Sequence, residues 1–209
     1  MKLGASRETP TDGGFPAVLD RDTANRYNKA MNHTEQRTVT PPSSQWWVDL
    51  ISAGFGSGWS KVAPGTVGTA AALLVWLLFH RAPFSNLIIS EVLLLGCITL
   101  IGSLAVRISL RNSQINDPGW IVIDEWAGIF LALLTVNPES FSQILCAFAL
   151  FRFFDIKKPG PVRWAESLPA EYGVMADDLV AGALALALLE LLSPLARSFG
   201  FAWCGLFVC

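Results

Sequence analysis

Two adjacent acid pairs stand at the starts of apolar runs in this sequence, Asp124-Glu125 and Asp177-Asp178. Asp155 closes another apolar run just ahead of Lys157 and Lys158, and Asp117 precedes Pro118. Carboxylates crowded into an apolar frame repel one another and lose hydration, so they require a cation. Oxygen donors without Cys or His among them select a hard ion, Mg²⁺ first and Mn²⁺ next. The plainer reading is that Asp124 and Asp177 cap helix N-termini, where the helix dipole favours anions. Two pairs together with Asp117 and Asp155 exceed what capping needs.

Cations accompany the acids: Lys61, Arg152, Lys157 and Lys158. A salt-bridge network would account for them. The segment from Gly54 to Thr69 adds a second ingredient, with glycines at 54, 56, 58, 65 and 68 and hydroxyls at Thr66 and Thr69. Backbone N–H groups of such a loop suit phosphate oxygens. The Gly-Lys-Ser/Thr ending of a nucleotide-binding loop is missing. Hard-metal ligands, fixed cations and a phosphate cradle together describe phosphoryl transfer to water.

Two other spacings mislead. Cys146 and Arg152 are six apart, as in cysteine phosphatases, but the residues between them form an apolar helical run without glycine. Asp20-Arg21-Asp22-Thr23 imitates an Asp-x-Asp nucleophile, yet no alternating strand–helix pattern follows. Cys146 therefore reads as a core residue and the Asp20 segment as solvated tail.

The elements that must carry these residues are apolar helices. Runs extend from about Thr69 to Phe79, Phe84 to Val106, Ile121 to Val136, Phe141 to Phe154 and Asp177 to Leu192, where Ser193-Pro194 is expected to end the fifth. Pro64-Gly65 signals a turn, with Thr66 or Thr69 as cap of the first helix. The second run is long enough to cross a bilayer. Gly128 and Gly182 each follow an acid by four residues and would let two helices approach closely, bringing the acid pairs together. If each run reverses direction, the Gly-rich loop, 107–119 and 155–176 share one face. That face holds most of the Lys and Arg, which marks it as cytoplasmic.

Composition agrees with a membrane-associated, all-α bundle of about five apolar helices. The chain has 209 residues, is 52% hydrophobic and 15% charged, and its mean hydropathy is +0.45. Soluble domains carry about 25% charge. A net charge of -2 argues against nucleic acid as partner. Cys97, Cys146, Cys204 and Cys209 form no CxxC pair and read as small core residues of a reducing compartment. His33 and His80 are too isolated for a histidine metal site. Residues 1–44 are polar, without an apolar signal-peptide region, and read as a disordered extension before a domain of 45–209. Trp46-Trp47 suggests an interfacial start to that domain.

These motifs resemble the phosphatidylglycerophosphatase A family. The resemblance rests on Gly54-x-Gly56 with Lys61-x-Ala63-Pro64-Gly65-Thr66-x-Gly68, and on Asp117-Pro118 with Asp124-Glu125-x-x-Gly128. It continues through Phe151-Arg152-x-Phe154-Asp155 with Lys158-Pro159-x-Pro161, and Gly173-Val174-Met175-x-Asp177-Asp178-x-x-Ala181-Gly182. It covers residues 54 to about 192. The resemblance implies a helical bundle and a Mg²⁺-dependent phosphatase of the bacterial inner membrane. The implied reaction removes the terminal phosphate of phosphatidylglycerophosphate, giving phosphatidylglycerol. Asp117, Asp124, Glu125, Asp155, Asp177 and Asp178 fall at its acidic positions, and Lys61, Arg152 and Lys158 at its basic ones.

The resulting expectation gives Asp124, Glu125, Asp177 and Asp178 to the metal, with Asp117 and Asp155 as further ligands or general base. Lys61, Arg152 and Lys158 would bind the phosphomonoester, with Gly65, Thr66, Thr69 and Lys157 around it. Apolar helices beside the site would keep the acyl chains in the bilayer; the oligomeric state stays open. The competing expectation is a non-catalytic membrane protein that binds an acidic lipid or carries an anion.

Overall fold

The computed structural model describes residues 46–83, 87–112, 118–169 and 171–198, which all belong to one compact unit. The expected tail at 1–44, Asp117 and the apolar end 199–209 lie outside them. The described residues form seven α-helices and no strand. These are α1 (Trp46–Ser52), α2 (Pro64–Phe79), α3 (Leu87–Asn112), α4 (Ile123–Ala132), α5 (Phe141–Lys157), α6 (Gly160–Glu166) and α7 (Glu171–Ser198), with a 3-10 turn at Ser57–Trp59.

Helix α4 is the hub. It is only ten residues long, and eight of them are buried. Its apolar faces meet α2, α3, α5 and α7, so side chains point inward all round, the pattern of a helix enclosed by others. The expected run to Val136 stops at Ala132, and the next residues turn before Ser140 caps α5 by accepting from Gln143 N–H. At about 15 Å, α4 is too short to cross a bilayer.

The close approach of α4 and α7 is built on glycine. A Cβ at Gly182 would fall on the Gly128 carbonyl, and one at Gly128 would meet Phe151 Cε2 at 2.5 Å and the Asp178 carbonyl oxygen at 2.7 Å. The expected helix contact at these two glycines is therefore present.

Other expectations change. Helix α2 starts at Pro64, whose ring favours a first-turn position, and its N-cap Ala63 has φ 46° with no side-chain cap. Neither threonine caps it: Thr66 is exposed, and Thr69 is buried inside the helix. Helix α7 does not break at Ser193-Pro194 but continues to Ser198. Proline has no N–H for the Glu190 carbonyl, and the Ser193 hydroxyl donates to that oxygen instead at 3.0 Å.

Among the described residues one helix is long and apolar enough to cross a membrane, Ile88–Arg111 within α3, with mean hydropathy 2.2 and 17% of its most apolar stretch buried. Of the five expected apolar runs, α4 is short, and α7 carries Glu171, Asp177, Asp178 and Glu190 along its length. Cys97 is exposed on α3 and Cys146 half-buried, so neither is a fully enclosed core residue. His80 is not isolated. Its Nε2 lies 3.0 Å from Glu91 Oε1, to which the buried Trp76 indole also donates at 2.8 Å, tying the end of α2 to the start of α3.

Candidate active site

The N-terminal turn of α4 presents Asp124 and Glu125, the second turn of α7 presents Asp177 and Asp178, and the end of α5 presents Arg152 and Asp155. Arg152 Nη1 lies 3.1 Å from Glu125 Oε1 and 2.7 Å from Asp155 Oδ2. Glu125 Oε2 is 2.8 Å from the Thr69 hydroxyl, which is also 2.8 Å from the Gly65 carbonyl and accepts from Arg152 Nη1 at 3.3 Å. Gly65 backs directly onto this group, since a Cβ there would collide with Glu125 Oε1 and sit 3.1 Å from Arg152 Nη2. The glycine therefore allows α2 to reach the carboxylate. Three segments distant in sequence meet here.

A second cation holds the other acid pair. Lys158 adopts φ 44° as the C-cap of α5, a left-handed conformation that costs an L-residue about 1–2 kcal/mol. Its ammonium donates to Asp177 Oδ2 at 2.7 Å and to Glu166 Oε1 at 2.8 Å. Lys157, one residue earlier, is exposed, which distinguishes the two lysines. Lys61 and Thr66 are exposed as well, and among the described residues Lys61 forms no ion pair.

Neither Asp124 nor Asp177 caps its helix from the N-cap position. Each instead accepts, through Oδ1, the N–H of the acid that follows it, at 2.9 Å in both cases. The electrostatics confirm that the acids share one region. Burial, followed by the charges of Asp124, Asp155, Glu125 and Asp177, holds the Asp178 carboxyl well above the ordinary carboxylate range. Burial also pushes Glu125 up to about 7, against the lowering influence of Arg152 and Thr69. Burial pulls Lys158 down, yet its bonds to Asp177 and Glu166 overcome this and leave it above its ordinary value.

Six carboxylates, Glu166 included, thus share the site with two paired cations, a formal excess of negative charge that an oxygen-liganded cation would offset. The donor chemistry fits a hard divalent ion. Among the described residues no three acids are gathered as a cation cage; Arg152 holds Glu125 and Asp155, and Lys158 holds Asp177. Arg152 Nε is buried without a hydrogen-bond partner, an orphaned guanidinium donor in the middle of the cluster.

Glu166 was not among the site residues expected from the sequence. It stands eight residues beyond Lys158 on the separate helix α6, and only the tertiary fold returns it to the lysine. Thr69 was recognisable by type, but it is fully buried and touches Glu125 and Arg152.

A family model described as phosphatidylglycerophosphatase A matches residues 50–193. The chain belongs to the phosphatidylglycerophosphatase A family. Similar proteins include the phosphatidylglycerophosphatase A of Escherichia coli K12, 33% identical over 70% of this chain and 83% of that protein. That of Haemophilus influenzae is 36% identical over 66% of this chain and 84% of its own length. A Bacteroides thetaiotaomicron protein, provisionally named phosphatidylinositol-3-phosphatase, is 40% identical over 64% of this chain and 85% of its own. No solved structure matches the chain. All the clustered acids and cations lie inside the segment matched by the phosphatidylglycerophosphatase A family.

Proposed function

We propose that this chain is a Mg²⁺-dependent phosphatidylglycerophosphatase that acts at the bacterial inner membrane with its site on the cytoplasmic side. It would release inorganic phosphate from phosphatidylglycerophosphate and leave phosphatidylglycerol. The observation that carries the reading is the meeting of two acid pairs, Asp155, Arg152 and Lys158 within the segment matched by the family. Asp124, Glu125, Asp177 and Asp178 would hold the metal. A bound Mg²⁺ supplies Lewis acidity and a water of lowered pKa.

The chain's own residues do the rest by charge exchange. Arg152 holds Glu125 and Asp155, and Lys158 holds Asp177; with a divalent ion held by the acid pairs, both side chains would be available to bind an anionic substrate. The unpartnered Arg152 Nε offers a further donor to a phosphoryl oxygen, and a guanidinium suits that geometry. Asp155 stands beside Arg152 and would orient or deprotonate the attacking water next to the bound phosphate. Asp117 keeps its proposed role as further ligand or base. Thr69 and Gly65 act from beneath, fixing Glu125 and Arg152. The apolar surface of α3 would hold the protein in the lipid layer from which the substrate comes.

The test is phosphate release by purified protein in detergent micelles containing phosphatidylglycerophosphate, with Mg²⁺ and with EDTA. Mg²⁺-dependent release that Asp124→Asn and Asp178→Asn both abolish supports the assignment. Phosphatidylinositol 3-phosphate belongs in the same assay, because the Bacteroides relative carries that substrate in its name. Faster hydrolysis of the inositol lipid would transfer the assignment to it. No release from either by folded protein would leave the non-catalytic lipid binder or anion carrier.

A further inference from the structure

Helix α1 is bonded to one particular level of α3. Ser109 lies in the last turn of α3, and its hydroxyl donates to the buried Asp49 carboxylate at 3.1 Å while standing 3.1 Å from the Ser52 hydroxyl. Above that level α3 carries Arg111; below it run the exposed apolar side chains of Leu93, Leu100 and Leu104. The apolar stretch Ile88–Arg111 ends where α1 is attached. If lipid covers the α3 surface, α1 lies at the boundary between hydrocarbon and water. Trp46 and Trp47 at the start of α1 are 68% and 51% exposed, and tryptophan is the side chain that concentrates at that boundary.

The chain then makes an unusual turn. Gly54, Phe55 and Gly56 have φ of 52°, 56° and 94°. Glycine adopts such angles freely, whereas Phe55 does not. Two backbone bonds hold it there, from Phe55 N–H to the Leu50 carbonyl at 2.9 Å and from Gly56 N–H to the Ala53 carbonyl at 3.0 Å. The strain gains little burial, for the Phe55 side chain is 67% exposed. Its ring contacts Trp126, with centroids 5.6 Å apart. Trp126 adjoins Glu125 in the chain, and the Val122 N–H bonds the Ser52 carbonyl at 2.9 Å, locking this turn to the start of α4. A large aromatic is therefore held outward, in a strained conformation, between the end of the apolar helix and the acid cluster.

We infer that Phe55, with Trp46 and Trp47 of the preceding helix, enters the interfacial layer of the bilayer and meets the glycerol and upper acyl carbons of the lipid phosphomonoester. Phe55 is thus a specificity-determining residue for a membrane-embedded substrate, an inference that rests on the lipid phosphatase reading above. Lipid is the occupant because the apolar surface of α3 continues to the level where α1 is tied.

Two measurements test this. In the first, a nitrobenzoxadiazole dye is attached at Phe55→Cys after Cys97, Cys146, Cys204 and Cys209 are changed to Ser, and the protein is reconstituted into phosphatidylcholine vesicles. The expected emission is blue-shifted and quenched more by lipid spin-labelled near the glycerol than near the chain end. A dye at Glu139→Cys, on an exposed loop, provides the water-exposed reference. Water-like, unquenched emission at position 55 would overturn the inference.

In the second, Phe55→Ser and Phe55→Leu are compared on long-chain phosphatidylglycerophosphate in vesicles and on a short-chain, water-soluble analogue. The serine variant should raise KM for the vesicle substrate about tenfold, as loss of one large apolar contact implies. Its kcat, and its rate on the soluble analogue, should stay within about twofold, and leucine should restore most of the loss. Equal losses on both substrates would mean that Phe55 acts through Trp126 on Glu125, and no change on either would mean that it touches no lipid; both results overturn the inference. Phe55→Gly, which relieves the backbone strain, guards against misfolding as the cause. Absence of phosphate release by the unaltered protein would sink the phosphatase reading alone, because the dye measurement does not depend on turnover.

Discussion

At the scale of single residues the site is a contest between burial and charge. Glu125 illustrates it, with a carboxyl pushed from an ordinary 4.5 to about 7 by burial. A carboxyl whose folded pKa is raised binds its proton more tightly folded than unfolded. The contribution of Glu125 to the stability of the metal-free protein should therefore be fully present below 4.5 and be lost as pH rises through about 7. Thermal unfolding in EDTA should show that decline, and Glu125→Gln should flatten it. Thr69 acts through its hydroxyl on Glu125 and Arg152. Thr69→Val should lower activity or metal affinity at least about tenfold, the usual effect of losing a residue that orients a ligand. Thr69→Ser should keep most of both, as phosphate release and Mg²⁺ titration would show. Lys158 and Lys157 are adjacent and chemically identical, yet only Lys158 reaches Asp177. The resemblance set Lys158 at a basic motif position, and the left-handed C-cap of α5 is what turns that lysine inward.

At the scale of elements, the contact between α4 and α7 decides whether a site exists. Gly128 and Gly182 permit backbone against backbone, and the acid pairs are carried by the same two helices. Gly182→Ala would force the helices apart, costing about 1–3 kcal/mol by overpacking. Thermal unfolding should report the loss, and phosphate release should fall even at temperatures where the variant stays folded. This contact was legible in sequence, because glycine four residues beyond an acid on each run is a spatial statement. The end of α7 was not legible. A proline normally ends a helix, but Ser193 satisfies the freed Glu190 carbonyl, a local bond that composition does not announce. Ser193→Ala should cost about 1 kcal/mol by leaving that carbonyl unpaired, measured as a lowered unfolding temperature.

At the scale of the whole molecule, the charge excess makes stability and metal binding one question. A ligand that binds only the folded state stabilises it by mass action. Mg²⁺ should raise the unfolding temperature of the native protein, while Asp178→Asn should weaken that response. Such an effect, measured without any substrate, separates metal binding from turnover. The membrane relation also belongs to this scale, with the apolar surface of α3 outside and the acids enclosed by α2, α4, α5 and α7.

The sequence by itself determined the helical class, the identity of the acids and cations and the glycine contact, because each depends on residue type and short spacing. Tertiary structure alone decided where the third apolar run stops, since α4 ends at Ala132 and is buried among α2, α3, α5 and α7. It also decided that Thr69 supports the site from inside, that Glu166 joins Lys158, and that Phe55 is held outward. Those are distances between residues on different elements, and such distances are fixed only when the helices pack.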